Sequence, residues 1–405
     1  MIQSPLEAEI HTNLGNVYAQ LGREDIAKSA YEQAMKVDPK YTEAFFNFGV
    51  FMEATNHVEE AIKVLKKVLD QQPDHALAWY VLGNIYHKLS RLGDAQASLE
   101  AALKINPNLS LARTNLAAIL NEIGDFKGAV EEGQRAIKLD PKLYEARYNL
   151  GTAFQELGRH EQAIAAYKQV LTQQPNHAAA AMNIAYGFQQ LGRLEEAEVE
   201  YEKTLQIDPS FAKAHVNFAD LKLQQGKPSE ALVICNNFLE NNPAHADLLA
   251  CKAMALGDIG DTKGVTHLIN YNRLLSIEEI QTPSTYSSLA KFNEELTAHI
   301  VSHPTLNYEP RSHATRLGHH SGELLEEPIG PFADFKILIL AAIQTFREKL
   351  DLDLSHPFLN SWPERTRLSV WGGSYEGRGA SSSPHSPLGL VKRCILRRSP
   401  KCCRQ

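Results

Sequence analysis

Residues 142–175 read KLYEARYNLGTAFQELGRHEQAIAAYKQVLTQQP, and this segment is one of seven consecutive segments that share a pattern. Each segment ends in a proline, and neighbouring prolines are 34 residues apart. The prolines are Pro39, Pro73, Pro107, Pro141, Pro175, Pro209 and Pro243. A fixed period of this length is typical of helix–turn–helix arrays, in which each unit buries its apolar side only against the next one. The period therefore predicts an α-helical array over residues 8–243.

Small and large residues recur at fixed positions of each segment. In residues 142–175 a Leu150-Gly151 pair is followed by Phe154, and Ala163 is followed four residues later by Tyr167. Small residues let two helices approach closely, and large residues fill the spaces between units. The closing proline ends the second helix, because it has no N–H and disfavours helix in the residue before it.

This pattern resembles the tetratricopeptide repeat family. The resemblance covers seven full units over residues 8–243 and a degraded eighth unit over residues 244–274, which keeps Ala253 and Leu256. Gly133 and Lys222 depart from the pattern, because each replaces a large residue. The resemblance implies an α-solenoid, wound as a right-handed superhelix, whose concave groove binds a peptide or a partner protein. It favours the holding of a partner over catalysis.

Asparagine precedes the Leu-Gly pair in six of the seven units. These residues are Asn13, Asn47, Asn115, Asn149, Asn183 and Asn217, and the third unit has Val81. Asparagine is a poor residue for a helix interior, and this position lies about 100° around the helix from the buried leucine. An amide offers both a donor and an acceptor, so a ladder of amides can hold the backbone of an extended peptide. Two alternatives stay open: inheritance from one ancestral unit, or bonding to a neighbouring turn.

The asparagine ladder resembles that of the O-linked N-acetylglucosamine transferase family, and the resemblance implies peptide contact for the six residues. A charged pocket for a peptide C-terminus has less support, since Arg113 and Arg147 recur in only two units. Nothing in residues 275–405 resembles a nucleotide-sugar domain, so glycosyl transfer is not predicted.

Composition narrows the classes of function. The formal net charge of −7 argues against a general nucleic-acid binder, which shows a basic patch. No apolar run reaches about 18 residues, so no membrane-spanning segment is expected. The N-terminus lacks a basic region followed by an apolar stretch, so no signal peptide is expected either. We predict a reducing, cytoplasmic location, with Cys235 and Cys251 as small buried hydrophobic residues.

After the array, the sequence predicts two helices and a strand. Residues 288–301 have one apolar side, formed by Leu289, Phe292, Leu296 and Ile300. Residues 332–350 form the second helix, with an inward side formed by Ile337, Leu340, Ile343 and Phe346. Residues 367–371 alternate in polarity, which indicates a β-strand.

Residues 303–318 and the Ser-Val-Trp strand at 369–371 resemble the start of a 2-oxoglutarate/Fe(II) oxygenase family. The resemblance covers residues 270–372 and implies that a complete domain would use Fe(II) and 2-oxoglutarate, with iron ligands on a following double-stranded β-helix. His313, His319 and His320 precede those strands, and we expect them in a solvated loop. We therefore predict no catalytic residue, no metal ligand and no cofactor for the chain as written. The alternative is an oxygenase that acts on a substrate recruited by the repeats.

The last 33 residues, 373–405, are rich in Gly, Ser, Arg and Cys, and this composition predicts a disordered tail. Residues 380–400, back-translated with chosen synonymous codons and read from the second base, can encode HQVPHIHPSAWLSGVYYVEVP. That string resembles the core of the same oxygenase family. The hypothesis is a one-base change near Gly372-Gly373, and the alternative is a genuine divergent tail.

The predicted fold class is therefore mainly α. Its parts are a repeat solenoid over residues 1–243, a degenerate eighth unit over 244–274, a truncated α+β segment over 275–372 and a disordered tail over 373–405. The predicted partner is a protein or peptide in the concave groove, with no nucleic acid and no membrane.

Overall fold

The computed structural model describes residues 5–269, 281–302, 307–308, 318–320, 328–350, 356, 366–371, 373–375 and 393–398. The chain divides into two compact units, Met1–Gln225 and Gly226–Gln405. This division falls in the turn of the seventh repeat. The boundaries at residues 243 and 274 stay predictions.

The first compact unit is a succession of helix pairs, as the 34-residue period predicts. Its helices are α1 (Pro5–Gln20), α2 (Glu24–Val37), α3 (Thr42–Ala54), α4 (Val58–Gln71), α5 (Ala76–Lys88), α6 (Leu92–Ile105), α7 (Ser110–Ile123), α8 (Phe126–Leu139), α9 (Tyr144–Glu156), α10 (His160–Gln173), α11 (Ala178–Gln190), α12 (Leu194–Ile207) and α13 (Ala212–Gln224). Odd-numbered helices are the first helices of the repeats, and even-numbered helices are the second ones.

The turn inside each repeat depends on one residue with left-handed backbone. These residues also recur every 34 positions and are Gly22, Asn56, Ser90, Gly124, Gly158, Gly192, Gly226 and Gly260. Glycine adopts this conformation without the steric cost that a Cβ imposes. Asn56 and Ser90 adopt it as well, with φ of 63° and 58°. The sequence therefore contains a second 34-residue period, which fixes where each pair of helices reverses direction.

Close helix approach explains the small residue of each Leu-Gly pair. A Cβ placed on Gly151 would lie 2.7 Å from the ring of Tyr167, and one on Gly15 would lie equally close to the ring of Tyr31. Both tyrosines are buried. The large residue of the second helix therefore fills the space that the missing side chain leaves.

Successive repeats stack through two kinds of contact. The second helix of each repeat packs against the first helix of the next, and first helices also contact each other directly. Such direct contacts join α1 to α3, α3 to α5, α5 to α7, α7 to α9 and α11 to α13. The first helices therefore form one continuous side, which we call the first-helix face.

The second compact unit begins with α14 (Pro228–Leu239), α15 (Ala246–Ile259) and α16 (Thr262–Leu268). The pair α15 and α16 occupies the predicted degraded eighth unit, with Gly260 at the turn. Ala253 and Leu256 are buried in α15, and Cys235 and Cys251 are buried and reduced, as predicted. Burial raises the pKa of the Cys235 thiol to about 12, so this thiol stays protonated and unreactive.

The two helices predicted after the array are present as α17 (Leu289–Val301) and α18 (Pro331–Lys349). They share a small apolar core formed by Phe292, Leu296, Ile300, Phe332 and Phe335. The predicted buried side of α17 is therefore confirmed.

The predicted inward side of α18 is wrong. Ile337 is 64% exposed and Leu340 is 45% exposed, while Ile343 and Phe346 are only partly buried. The core side carries Phe332 and Phe335, with Leu338 and Ile339 packed beside them. The helix is apolar on more than one side, so hydrophobic periodicity alone does not select the side that meets α17.

Five short strands complete the described structure: β1 (Asn307–Tyr308), β2 (Gly318–His320), β3 (Thr366–Trp371), β4 (Gly373–Tyr375) and β5 (Arg393–Arg398). One antiparallel sheet has the order β1-β2-β4, and β3 pairs with β5 from Thr366↔Arg398 to Trp371↔Arg393. The strand predicted at 367–371 is confirmed as β3.

Two predictions differ from these strands. His319 and His320 belong to β2 rather than to a loop, while His313 lies outside the described residues. Residues 373–375 and 393–398 of the predicted disordered tail form β4 and β5. Composition misses such pairing, because a partner strand supplies the backbone hydrogen bonds that the tail cannot make alone.

Candidate functional site

The six predicted asparagines all lie on first helices, in α1, α3, α7, α9, α11 and α13. Their exposure differs. Asn13 is exposed, Asn183 is buried, and the other four are partly exposed. Val81 takes the equivalent position in α5. The sequence therefore places the asparagines on one set of helices, but the structure does not present all of them to a partner equally.

Four of the six amides donate a hydrogen bond to the first helix of the preceding repeat. The bonds join Asn115 Nδ2 to Asn84 Oδ1 (2.7 Å), Asn149 Nδ2 to Thr114 O (3.1 Å), Asn183 Nδ2 to Tyr148 Oη (3.3 Å) and Asn217 Nδ2 to Met182 Sδ (3.3 Å). These bonds link the first helices of neighbouring repeats from α5 to α13. The acceptors lie on helices, so the amides do not bond a neighbouring turn.

The other two asparagines are not part of this series. Asn47 Nδ2 lies 3.5 Å from Glu43 Oε1 in its own helix, and Asn13 makes no hydrogen bond within the described ranges. Val81 has no polar side-chain group, so α5 cannot donate to α3 at this position. The series of amide links therefore begins at the fourth repeat.

Asn115 and Asn149 keep an acceptor available. Each amide nitrogen is fixed by its bond to the preceding helix, while no hydrogen bond from the described part of the chain reaches either Oδ1. Asn121 Nδ2 reinforces this region by donating to the backbone oxygen of Asn149 at 2.9 Å. Two oriented and partly exposed amide oxygens therefore lie on adjacent first helices.

Buried tyrosines support the amides farther along the face. The ring of Tyr148 lies 5.5 Å from that of Tyr167 and 5.1 Å from the imidazole of His177. Burial raises the pKa of the Tyr148 hydroxyl, and the bond from Asn183 lowers it by less. This hydroxyl therefore remains protonated near neutral pH, and its oxygen accepts from Asn183.

Acidic side chains dominate the exposed part of the first helices. The carboxylates are Glu9, Glu43, Glu53, Glu122, Glu145, Glu156 and Asp220. Lys88 pairs with Glu53, and His87 Nε2 lies 2.6 Å from Glu122 Oε1. The helices carry few other exposed cations, of which Lys213 is one. The first-helix face therefore carries a negative charge.

The two arginines considered from the sequence do not form a charged pocket. Arg113 forms a mostly buried ion pair with Glu132 of α8, and Arg147 Nε donates to Gln169 Oε1 of α10 at 3.0 Å. Both side chains are therefore bound to second helices rather than available on the first-helix face.

The described residues do not fit an iron site. They contain no group of three or more His, Cys, Asp or Glu side chains placed to hold a metal ion. No iron-dependent step follows from them. Among these same residues, no helix has the length and apolar character needed to cross a bilayer.

Family models match most of the array. Two models described as tetratricopeptide repeat match residues 148–210 and residues 18–85 with 188–255. A model described as TPR repeat matches residues 118–158, and a fourth, again described as tetratricopeptide repeat, matches residues 76–109. Together they cover residues 18–109 and 118–255, which is more than half of the chain. No curated protein matches the chain.

Several solved structures are similar to this chain. YrrB, described as a TPR protein with an unusual peptide-binding site, is 25% identical, and the match covers 46% of this chain and 95% of YrrB with a TM-score of 0.43. A tetratricopeptide repeat protein from Parabacteroides merdae is 14% identical, with coverages of 62% and 99% and a TM-score of 0.47. PilW, a type IV pilus biogenesis factor, is 21% identical, with coverages of 52% and 97% and a TM-score of 0.48.

Proposed function

Because the chain belongs to the tetratricopeptide repeat family, we propose that its first-helix face binds an extended segment of a partner protein through asparagine amides. The observation that carries this proposal is the pair of partly exposed Oδ1 atoms on Asn115 and Asn149. Each oxygen belongs to an amide whose nitrogen is already held by the preceding helix. Such an oxygen accepts a backbone N–H from a peptide of almost any sequence.

Anchoring of the amide nitrogen favours binding. A free asparagine loses side-chain entropy when a ligand fixes it, whereas an anchored one has lost most of that entropy during folding. The same bond orients the oxygen away from the preceding helix. The amides therefore act as preorganised acceptors, and the inter-helix bonds are part of the proposed site rather than an alternative to it.

Charge defines the partner further. The exposed carboxylates of the first helices favour a segment that carries lysine or arginine, because complementary charge raises the association rate and disfavours acidic segments. Since these carboxylates are solvent-exposed, added salt screens the attraction. We therefore expect the affinity to fall as the salt concentration rises.

The test uses the full chain and peptides selected on it from a random peptide library. Fluorescence anisotropy then gives the Kd of a selected peptide for the N115A/N149A double variant. Loss of two hydrogen bonds predicts a Kd raised about tenfold or more. Asn237→Ala is the matched control, because it makes the same change on the exposed side of α14. An unchanged Kd for the double variant, together with a lower unfolding temperature, would assign the amides a structural role only.

Val81 offers the converse test. Val81→Asn places an amide at the repeat that lacks one, next to α3 and before the series that begins at Asn115. The proposal predicts tighter binding of long peptides that reach this repeat and no change for short ones. Equal affinities for long and short peptides would argue against a ladder that extends along the face.

A second proposal concerns residues 270–372, which resemble the start of a 2-oxoglutarate/Fe(II) oxygenase domain. The presence of α17, α18 and β3 where the resemblance requires helices and a strand supports it. The DNA around codons 370–376, read from an independent clone, tests the frame hypothesis. A one-base difference predicts that the restored product binds Fe(II) and forms succinate from 2-oxoglutarate. An intact frame would leave the chain without the iron ligands of that family.

A further inference from the structure

An apolar stripe is exposed along α1. It consists of Ile10, Leu14, Val17 and Leu21, whose side chains are between 40 and 63% exposed. Their spacings of four, three and four residues place them on one side of the helix. Exposed apolar residues are common when scattered singly, but four on one side of one helix form a contiguous patch.

The same positions are buried in later repeats. The residues equivalent to Ile10, Leu14 and Val17 are at most 7% exposed in α3, α5, α7 and α13. They are Ala44, Phe48 and Phe51; Ala78, Leu82 and Ile85; Ala112, Leu116 and Ile119; and Ala214, Phe218 and Leu221. The stripe on α1 is therefore the surface that each later repeat uses to stack on its neighbour, and we call it the α1 seam.

The chain itself shows what covers such a seam. Phe48 and Phe51 of α3 share a core with Ala27 and Tyr31 of α2, the second helix of the preceding repeat. The ring of Tyr31 lies 5.9 Å from that of Phe48 and 5.4 Å from that of Phe51. The covering element is therefore an amphipathic helix with one apolar side. The α1 seam continues this interface beyond the last covered repeat.

We propose that the α1 seam docks an amphipathic helix of a partner protein, in the place that a second helix takes on every later repeat. The size of the seam residues defines the helix further. Ile10 stands where α3, α5, α7 and α13 have alanine, so the docked helix needs small residues opposite it. The helix α8 shows such a surface, with Ala129, Gly133 and Ala136 spaced four and three residues apart on one side.

This inference is independent of the proposed peptide site. The α1 seam is formed by residues that point away from the amide series, and it takes a helix through apolar contacts rather than an extended backbone through amides. Either proposal can fail while the other stands.

The test measures binding of a helix-constrained, fluorescently labelled peptide with the sequence of residues 126–140 to the full chain. We expect saturable binding, and we expect the I10E/V17E double variant to raise its Kd at least about tenfold, because the docked helix would bury two carboxylates in an apolar contact. Gln20→Glu is the matched control, since it adds a carboxylate to an exposed position on the same helix. Both seam residues are at least half exposed, so helicity by circular dichroism should stay unchanged.

A second peptide, with the changes Ala129→Glu and Ala136→Glu, should not bind. The absence of binding by the parent peptide, or equal binding by the I10E/V17E variant, would overturn the proposal. Sedimentation velocity of the full chain provides a further check. Self-association that I10E/V17E abolishes, without any peptide binding, would show that the seam meets a second copy of the chain and would overturn the proposal of a repeat-type helix.

Discussion

The repeats and the α17–α18 pair solve the same packing problem in different ways. In the repeats, a small residue of one helix receives a large residue of the other, as Gly151 receives the ring of Tyr167. The pair α17 and α18 has a core of large side chains on both helices, among them Phe292 and Phe335. Small and large positions define the contact side in the first case. In the second case, the apolar residues of α18 leave several sides equally suitable, and the tertiary contact decides.

The largest expected effect comes from emptying the space beside a repeat glycine. Tyr167→Ala removes a fully buried ring, and we expect a loss of about 3–5 kcal/mol in the free energy of unfolding of the array. Urea denaturation followed by circular dichroism measures this loss. A loss below about 1 kcal/mol would mean that neighbouring repeats collapse into the cavity.

Filling the same space should cost less. Gly151→Ala puts a Cβ 2.7 Å from the Tyr167 ring, which must shift, and we expect a destabilisation of about 1–3 kcal/mol. Gly133→Ala is the matched control, because its Cβ would have its nearest contact at 3.4 Å, with Leu150, in a helix where alanine is favoured by about 1 kcal/mol. We expect this control to be neutral or stabilising. Equal destabilisation by both variants would show that size complementarity is not what distinguishes the repeats.

The turns test the second 34-residue period. Ser90 has a φ of 58° where most repeats have glycine, so Ser90→Gly should stabilise the array by about 0.5–1 kcal/mol. Gly158→Ala should act in the opposite direction, although open space surrounds its Cβ position. Thermal unfolding of the two variants measures both changes. A fall in unfolding temperature for Ser90→Gly would indicate that the serine side chain stabilises the turn.

The smallest effect is expected on the side of α18 that periodicity wrongly placed inward. Ile337→Lys changes a residue that is 64% exposed, and we expect a stability change within about 0.5 kcal/mol. Leu296→Lys, on the buried side of α17, should instead disrupt the pair. If Ile337→Lys is as damaging as Leu296→Lys, the exposed side of α18 is covered in solution.

Sequence reasoning could predict the array, because the period, the Leu-Gly pairs and the closing prolines each report the same helix pair. It could place the six asparagines on first helices. It could not find their acceptors, since Asn84, Thr114, Tyr148 and Met182 share no chemistry and present an amide oxygen, a backbone oxygen, a hydroxyl and a sulfur. It missed the left-handed turn residues as well, although their spacing was visible. Strand β5 depends on a partner that lies distant in the sequence.

The left-handed residue at every turn has a consequence for the history of the chain. Since each repeat reverses direction at the same position with similar backbone geometry, one repeat can be duplicated or deleted while the others keep their internal structure. Duplication would lengthen the surface by one helix pair and would carry a copy of the amide with it. The reach of such a protein along a partner can therefore evolve in steps of 34 residues, and Val81 marks a step at which the copied amide was not kept.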